Sequence, residues 1–276
     1  MSTPALREAA RCLNRALTLL AVAVPLLAVV SPAAAAGQSG CSGSSCPQAS
    51  AASRRITLET TEGRLAGDLY VPAQGVGLRG GAILVHGFLR PRKTMRDHAA
   101  ALAARGVVAL VPALPYQADP NGNARALGEL SAQLRQGRFA PAVSRFVLIG
   151  FSAGALAAVL AAPGLPGLAG VVALDPFDRR SQPGRDSARK IAVPTTVVRA
   201  PPAACNGYGS AATWAGVLPQ VDRDVLIPKA THCDFEAPTT LACRVACRGS
   251  DETRRAIVAE VLLAAVERYL PAVAAP

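Results

Sequence analysis

The sequence predicts an α/β fold in which a mostly parallel central sheet is covered by helices on both faces. Short apolar runs alternate with helical segments along most of the 276 residues. Runs such as GGAILVHGF and RFVLIGF are apolar almost throughout, which is typical of strands buried on both faces of a parallel sheet. Because ligands bind at the carboxyl ends of strands in such sheets, we expect the functional residues at that edge.

The first 36 residues have the features of a secretory signal peptide. Three Arg residues precede an apolar run over residues 16–30, and the small residues SPAAAAG follow it. The run contains Pro25 and is shorter than the ~20 residues of a membrane-spanning helix. We expect cleavage near Ala36, a secreted or periplasmic protein, and no stable membrane insertion after cleavage. Residues 37–53 are rich in Gly, Ser and Ala and are predicted to be a flexible linker, which leaves residues 54–276 as the folded domain.

The elements of this domain are predicted in a regular order. RITLETTEGRLAGDLYVP forms a hairpin that turns at Glu62-Gly63, GGAILVHGF forms the next strand, and TMRDHAAALAARG forms a helix that ends at Gly106. The strand VVALVPAL and the helix NARALGELSAQLRQG follow, and then the strand RFVLIGF and the helix SAGALAAVLAA, which Pro163 stops. Three further strands, GVVALDPF, PTTVVRAP and DVLIPKA, precede the long closing helix DETRRAIVAEVLLAAVERYL, which has Asp251 as its N-cap.

The cysteines indicate disulfide bonds rather than a metal site. Cys12 is lost with the signal peptide, and the even number that remains in an oxidising compartment favours disulfides. No CxxC pair or cluster of His accompanies them, so we expect no metal. Six cysteines allow 15 pairings, and sequence alone does not select one. The expected pairs are Cys41–Cys46, Cys205–Cys233 and Cys243–Cys247. The alternative is that Cys233 pairs further along its own loop and leaves Cys205 with another partner.

Charge and motifs exclude several classes of function. The formal net charge is +11, which favours anionic surfaces, but the Arg residues are dispersed and aromatic residues make up only 4%. A basic patch interleaved with aromatic residues is missing from the sequence, so we expect no nucleic-acid partner. No P-loop or dinucleotide fingerprint is present, so we expect no cofactor. We expect a monomer that acts on a small-molecule or polymeric substrate.

One serine carries the sequence pattern of a nucleophile. Residues 150–154, GFSAG, follow a predicted strand and open a predicted helix. Small residues at 150, 153 and 154 allow a tight turn that exposes the Oγ of Ser152 at the positive end of the helix. A serine hydroxyl is a weak nucleophile unless a base removes its proton, so the chain must also supply a base.

His232 is the predicted base, because it follows the last predicted strand. His98 lies within a predicted helix and is expected at the surface. His86, at the end of a strand, is expected to be a structural residue that forms hydrogen bonds at a turn.

The predicted acid is Asp175, at the carboxyl end of the strand in GVVALDPF. It would orient the imidazole and stabilise its charged form. Asp178 is the alternative, three residues further on and in a more solvated loop. The segment VVRAPPAACNGYG, after the next strand, offers no acid at all.

Backbone amides and aromatic side chains complete the predicted site. The amides of Phe88 and Ala153 are candidates for an oxyanion hole, with Gly87 allowing the backbone to bend towards the substrate. About eighteen residues separate Asp175 from Pro194, too few for a large helical lid, so the site is expected to be open. The side chains predicted to line an acyl or aromatic groove, each with core packing as the alternative, are those of Phe88, Phe151, Phe177, Tyr208 and Trp214.

The motifs HGF, GFSAG, LDPFD and THCDFE, with Ser152, Asp175 and His232 in that order, resemble those of the α/β-hydrolase superfamily over about residues 56–270. The HGF turn and compact core are similar to secreted cutinases, polyester hydrolases and chlorophyllase-like esterases. The acid departs from the polyester hydrolases, where it follows the next strand, and its position resembles that in chlorophyllases and pancreatic-type lipases.

This resemblance implies a secreted serine hydrolase that cleaves carboxylic esters through an acyl-enzyme. Two alternatives stay open. One is an amidase or acyltransferase with the same three residues, and the other is an inactive hydrolase-fold protein that binds a ligand.

Overall fold

The computed structural model describes residues 52–272, so the predicted signal peptide, most of the predicted linker and the Cys41–Cys46 pair lie outside the described residues. The strands are β1 Ala52–Thr60, β2 Gly63–Val71, β3 Gly80–Val85, β4 Val107–Pro112, β5 Phe146–Phe151, β6 Leu168–Leu174, β7 Thr195–Arg199 and β8 Val221–Leu226. The helices are α1 Arg96–Ala103, α2 Pro120–Arg135, α3 Ala153–Ala161, α4 Pro183–Ala188, α5 Leu241–Ala246 and α6 Glu252–Tyr269.

All eight strands form one sheet in the order β1-β2-β4-β3-β5-β6-β7-β8. β2 pairs antiparallel with β1 and with β4, and every other neighbouring pair is parallel. The strands β3, β4 and β5 are buried along their whole length, as their continuous apolar runs predict.

Helices cover both faces of this sheet. Apolar side chains of α1 and α6 pack with the strands in one core, and those of α2, α3 and α4 pack on the opposite face. The Asp251 carboxylate accepts a hydrogen bond of 3.0 Å from the amide of Arg254 and so caps α6 as predicted. The predicted mostly parallel sheet with two helical layers is therefore confirmed.

Two boundaries differ from the sequence predictions. The predicted linker extends to residue 53, whereas β1 begins at Ala52 and pairs along its whole length with β2. The segment between β6 and β7 contains the six-residue helix α4, which the sequence analysis did not predict. This helix packs on α3 in the same core as Trp214, so it forms part of the domain wall and is not a lid.

Among the described residues the disulfide bonds are Cys205–Cys247 and Cys233–Cys243, so the expected pairs Cys205–Cys233 and Cys243–Cys247 are wrong. The alternative, in which Cys233 bonds further along its own loop, is the one observed. The cause is α5, which the sequence analysis did not predict and which contains Cys243 and ends just before Cys247. Side chains four residues apart on a helix have Cβ atoms about 5–6 Å apart, whereas a disulfide needs about 3.8 Å. Each of these two cysteines therefore bonds to a different loop.

His98 is also placed differently from its prediction as a surface residue. It lies on the face of α1 that packs against the sheet, and it is buried. Its Nε2 lies 3.2 Å from the carbonyl oxygen of Phe235. Burial lowers the pKa of His98, so the ring is neutral and its Nε2–H donates to this carbonyl.

Candidate active site

Ser152 lies on a strained turn between β5 and α3. Its backbone has φ 56° and ψ −122°, a conformation that costs a non-glycine residue about 1–3 kcal/mol. A Cβ on Gly150 would lie 2.4 Å from the Cα of Ala155, and a Cβ on Gly154 would lie 2.4 Å from the carbonyl oxygen of His86. Both glycines are thus required by close backbone approach, which explains the GFSAG pattern physically.

Ser152, His232 and Asp175 form one chain of hydrogen bonds. The Nε2 of His232 lies 3.0 Å from the Oγ of Ser152, and its Nδ1 lies 2.5 Å from the Oδ2 of Asp175. All three side chains are buried. Because a carboxylate accepts but does not donate, Nδ1–H donates to Asp175 and the free lone pair of Nε2 faces the serine hydroxyl. This arrangement can accept the proton of Ser152.

Asp175 follows β6 and has a backbone φ of 35°. Its Oδ2 contacts His232, and its Oδ1 accepts hydrogen bonds from the amide of Ala200 at 2.9 Å and from the Nδ2 of Asn206 at 3.2 Å. Both carboxylate oxygens therefore have partners, which restrict the rotation of the carboxylate that contacts His232.

Asn206 is a buried residue that the sequence analysis missed. Besides Asp175, its Nδ2 donates to the carbonyl oxygen of Pro201, and its Oδ1 accepts from the amides of Ala203 and Gly209. One side chain thus folds the loop after β7 and holds the Asp175 carboxylate. The sequence signal for this residue is the Asn-Gly pair in ACNGYG, a common turn dipeptide.

The loop that contains His232 is anchored by Asp234. The carboxylate of Asp234 accepts hydrogen bonds from the amides of Thr231 and Asp251 and from the Nε of Arg254, at 2.6–2.8 Å. Burial acts to raise the pKa of Asp234, but these donors outweigh it and hold the pKa below its usual value. The Cys233–Cys243 bond is a second anchor next to the histidine.

Asp178, the alternative acid, was predicted to lie in a solvated loop, but the structure places it in a buried position. It accepts hydrogen bonds from the amides of Arg179, Gly184 and Arg185 and from the indole Nε1 of Trp214. None of its hydrogen bonds within residues 52–272 is to His232. Asp178 therefore holds the start of α4, where the free amides of a helix N-terminus favour a carboxylate.

Of the two possibilities predicted for Trp214, a substrate groove and core packing, the structure shows core packing. Its side chain is buried in the core beside α3 and α4, with its Nε1 donating to Asp178 at 2.7 Å. An aromatic residue in a loop has no periodic pattern, so its direction depends on the loop path rather than on local sequence.

Phe88 and Ala153, the residues whose amides are predicted to form the oxyanion hole, line the same cavity as Ser152. Among residues 52–272, neither the amide of Phe88 nor that of Ala153 is hydrogen-bonded to a protein acceptor. A Cβ on Gly87 would lie 3.1 Å from both the Phe151 ring and the Cβ of Ser152, so glycine is needed for the turn to approach the serine.

His86 supports this turn, as expected for a structural histidine. Its Nδ1 donates to the carbonyl oxygen of Gly87 at 2.9 Å, and its Nε2 accepts from the amide of Leu114 at 3.1 Å. Burial lowers the pKa of His86, which keeps the ring neutral and able to accept.

Three adjoining cavities surround the hydrogen-bonded residues. The first, of about 340 Å³, is lined by Ser152, Ala153, Phe88 and Phe177, among others. The second, of about 440 Å³, is lined by His232 and Tyr208 and does not include Ser152. A third, smaller cavity of about 140 Å³ is lined by both Ser152 and His232. Cys205 lines all three cavities.

The predicted aromatic residues other than Trp214 thus line this cleft. Phe88 is 52% exposed, whereas Phe151 is buried and its ring centroid lies 4.6 Å from that of His232. Phe177 lines the first cavity and Tyr208 the second.

The sulfur atoms of Cys233, Cys243 and Cys247 lie within 4.8 Å of one another. Since all three are oxidised in disulfides, none is a thiolate that could ligate a metal. No helix among the described residues is both long and apolar enough to cross a lipid bilayer.

Comparison with solved structures identifies this architecture as the α/β-hydrolase fold. The chain is similar to a dienelactone hydrolase from Anabaena variabilis, with a TM-score of 0.62 and 19% identity over 80% of this chain and 99% of the other. It is also similar to the esterase domain of a Rhodothermus marinus protein, with a TM-score of 0.59 and 19% identity over 79% of this chain and 99% of the other.

A third similar structure is a dienelactone hydrolase-like promiscuous phosphotriesterase from metagenomic libraries, with a TM-score of 0.59 and 16% identity over 80% of this chain and 99% of the other. By sequence, no protein-family model and no curated protein matches the chain. The finer resemblance to cutinases, polyester hydrolases and chlorophyllases stays a prediction.

Proposed function

We propose that this protein is a secreted serine hydrolase that cleaves carboxylic esters through an acyl-enzyme. Ser152 is the nucleophile, His232 is the base and then the acid, and Asp175 orients and stabilises the imidazole. The observation that carries the proposal is the buried chain of hydrogen bonds from Ser152 Oγ through His232 to Asp175, at 3.0 and 2.5 Å. A nucleophile, a base and a group that orients the base are the parts that acyl transfer needs.

The first half of the reaction forms the acyl-enzyme. The Oγ of Ser152 bonds to the ester carbonyl carbon as its proton passes to the Nε2 of His232. The carbonyl oxygen becomes negative and accepts hydrogen bonds from the amide of Phe88, in the turn after β3, and from the amide of Ala153, at the N-terminus of α3. The bond to the alcohol oxygen then breaks, and His232 returns its proton to that oxygen, so the alcohol leaves neutral.

The second half repeats these steps with water. His232 removes a proton from a water molecule, whose oxygen bonds to the acyl carbon of the Ser152 ester. The same two amides stabilise the negative oxygen, and the bond to Ser152 breaks as His232 returns the proton to Oγ. The acid is released and the site returns to its starting state.

Several observations support an ester substrate and export. The three similar solved structures are named as a dienelactone hydrolase, a dienelactone hydrolase-like phosphotriesterase and an esterase domain. The cleft is open and contains aromatic walls, which suits bulky or polymeric esters. Two disulfides among the described residues fit an oxidising compartment, in agreement with the predicted signal peptide.

A labelling experiment with matched serine variants tests this function. A fluorophosphonate should modify a single residue, Ser152, as read by mass spectrometry of tryptic peptides. Ser152→Ala should lose most hydrolysis of p-nitrophenyl butyrate, and Ser144→Ala, at an exposed serine outside the cleft, should retain it. Labelling elsewhere, or an active Ser152→Ala variant, would remove Ser152 from the mechanism. Faster cleavage of the matching anilide than of the ester would favour the amidase alternative.

A further inference from the structure

The second cavity has a basic lining. Tyr208, Lys229 and Arg248 line it together with His232, and no Asp or Glu is among its lining residues. Lys229 and Arg248 are exposed, and neither pairs with an acidic side chain within residues 52–272. The cavity therefore presents two cations that no described acidic group of the protein neutralises.

The walls that contain these cations are fixed to one another. Lys229 and Arg248 both lie on turns with left-handed backbone, at φ 60° and 64°. The Oγ1 of Thr231 donates to the carbonyl oxygen of Gly249 at 2.8 Å, which ties the two turns together. The Cys205–Cys247 bond joins the Arg248 turn to the loop that contains Tyr208. The two turns that bear Lys229 and Arg248 are thus held beside one cavity by a covalent bond and a hydrogen bond.

The position of His232 assigns this cavity to one half of an ester. In the proposed reaction His232 must give its proton to the alcohol oxygen, so the alcohol has to leave on the side that His232 faces. His232 lines the second cavity but not the first, and Ser152, Phe88 and Ala153 line the first but not the second. The small third cavity is lined by both Ser152 and His232. The acyl half therefore belongs in the first cavity and the alcohol half in the second.

We infer that the second cavity selects esters whose alcohol half has a carboxylate, with Lys229 and Arg248 as its counter-ions. The substrate class is then the esters of hydroxy acids, including the acid-terminated end of an oligoester chain. Tyr208, which is 76% exposed, offers an aromatic face to the carbon chain between the ester and the carboxylate. This inference rests on the proposed function.

Cleavage of such a substrate needs water as the only other reactant. The bond between the carbonyl carbon and the alcohol oxygen breaks, the acyl group stays on Ser152, and the proton from His232 goes to the alcohol oxygen. The released product is a hydroxy acid whose carboxylate is unchanged, and water later removes the acyl group.

Matched esters test the inference. The first is the butyrate ester of γ-hydroxybutyrate, and the second is the butyrate ester of the corresponding hydroxy amide, which has the same shape without the charge. The wild-type protein should show a kcat/KM about five- to tenfold higher for the carboxylate ester, as expected of two partly solvated ion pairs. This preference should shrink as salt is raised, because exposed charges are screened. Ethyl hemisuccinate has its carboxylate in the acyl half, away from the second cavity, so this charge should not raise its kcat/KM.

Charge-neutral variants complete the test. In the double variant Lys229→Gln/Arg248→Gln, the ratio of the two kcat/KM values should fall towards one. Arg223→Gln removes an exposed charge outside the cavity and should leave the ratio unchanged. Equal wild-type rates for the two butyrate esters, or a ratio that survives in the double variant, would overturn the inference while leaving the esterase intact. Hydrolysis of none of the three esters, together with failure of the label to reach Ser152, would overturn the proposed function and this inference with it.

Discussion

The Oδ2 of Asp175 lies 2.5 Å from the Nδ1 of His232, although Asp175 follows β6 and His232 follows β8. β7 lies between these two strands in the sheet. The Asp175 side chain therefore crosses the end of β7 to contact His232. In the loop after β7, the Ala200 amide and the Asn206 side chain donate hydrogen bonds to Asp175.

Loss of the Asp175 charge should reduce catalysis far more than stability. In Asp175→Asn the new amide can donate a hydrogen bond to Nδ1, which would move the proton of His232 to Nε2. A protonated Nε2 has no free lone pair and cannot accept the proton of Ser152. We expect kcat on p-nitrophenyl butyrate to fall by about four orders of magnitude. Asp178→Asn is the control, because Asp178 bonds to Trp214 and to backbone amides; it should lower Tm with a much smaller change in kcat. The reverse ranking would make Asp178 the acid.

Asn206 is predicted to be a positioning residue. Asn206→Ala removes one donor from Asp175 and leaves the amides of Ala203 and Gly209 without an acceptor, which should cost about 1–3 kcal/mol of stability. We expect kcat to fall about ten- to a hundredfold with KM nearly unchanged. Ser187→Ala removes another buried hydrogen bond, to Val159, and should lower Tm without this effect on kcat. If Asn206→Ala left kcat unchanged, or changed KM as much as kcat, Asn206 would not be a positioning residue for Asp175.

The backbone contact at Gly154 should be intolerant of any side chain. In Gly154→Ala the new Cβ would lie 2.4 and 2.6 Å from the carbonyl oxygens of His86 and Val85, so α3 and the end of β3 must move apart. We expect a large loss of Tm and of activity, since Phe88 follows that strand end. Gly128→Ala, on α2 with no atom within 4 Å of the new Cβ, should instead raise stability by about 0.5–1 kcal/mol. Thermal unfolding of both variants measures the contrast.

The lowered pKa of Asp234 predicts a pH-dependent contribution to stability. Because the folded state favours the charged carboxylate, the contribution is present above the ordinary Asp pKa, about 3.9, and is lost as pH falls through the lower folded pKa. The Tm difference between wild type and Asp234→Asn should therefore be largest near neutral pH and shrink below about pH 4. A difference that grew on acidification would contradict the sign.

The two disulfides should contribute unequally to stability. Cys205–Cys247 closes a chain separation of 42 residues and Cys233–Cys243 one of 10. Loop-closure entropy then predicts losses of about 4 and about 3 kcal/mol when each pair is replaced by serines. Both cysteines of a pair are replaced together, because a single replacement would leave a free thiol that could attack the other disulfide. Peptide mapping without reduction checks the connectivity itself, and a Cys205–Cys233 peptide would refute it.

The sequence predicted the fold and the grouping of Ser152, Asp175 and His232 for one physical reason. Apolar runs identify the strands of a parallel sheet, and parallel strands have their carboxyl ends at a common edge. Ser152 and Asp175 directly follow β5 and β6, and His232 lies in the loop after β8, so all three lie at this edge of the sheet. The catalytic roles of these residues stay a prediction until the variants are measured.

The features that sequence did not predict depend on loops and short helices. The cysteine pairing follows from the position of α5, a six-residue helix with little periodic signal. The burial of Trp214 and Asp178 follows from the path of the segment around α4. The support by Asn206 needs four hydrogen bonds from one amide, and composition does not reveal such a network.

The position of β1 has a practical consequence for handling the protein on a solid support. β1 lies at the edge of the sheet opposite β8. It runs in the same direction as β4, since β1 and β4 both pair antiparallel with β2, and β5 has this direction too because β3 is parallel to both β4 and β5. Ala52, its first residue, is therefore at the far edge and at the opposite end of the strands from Ser152. Immobilisation through residue 52 would leave the cleft facing the solution, open to a substrate as large as a film or a particle.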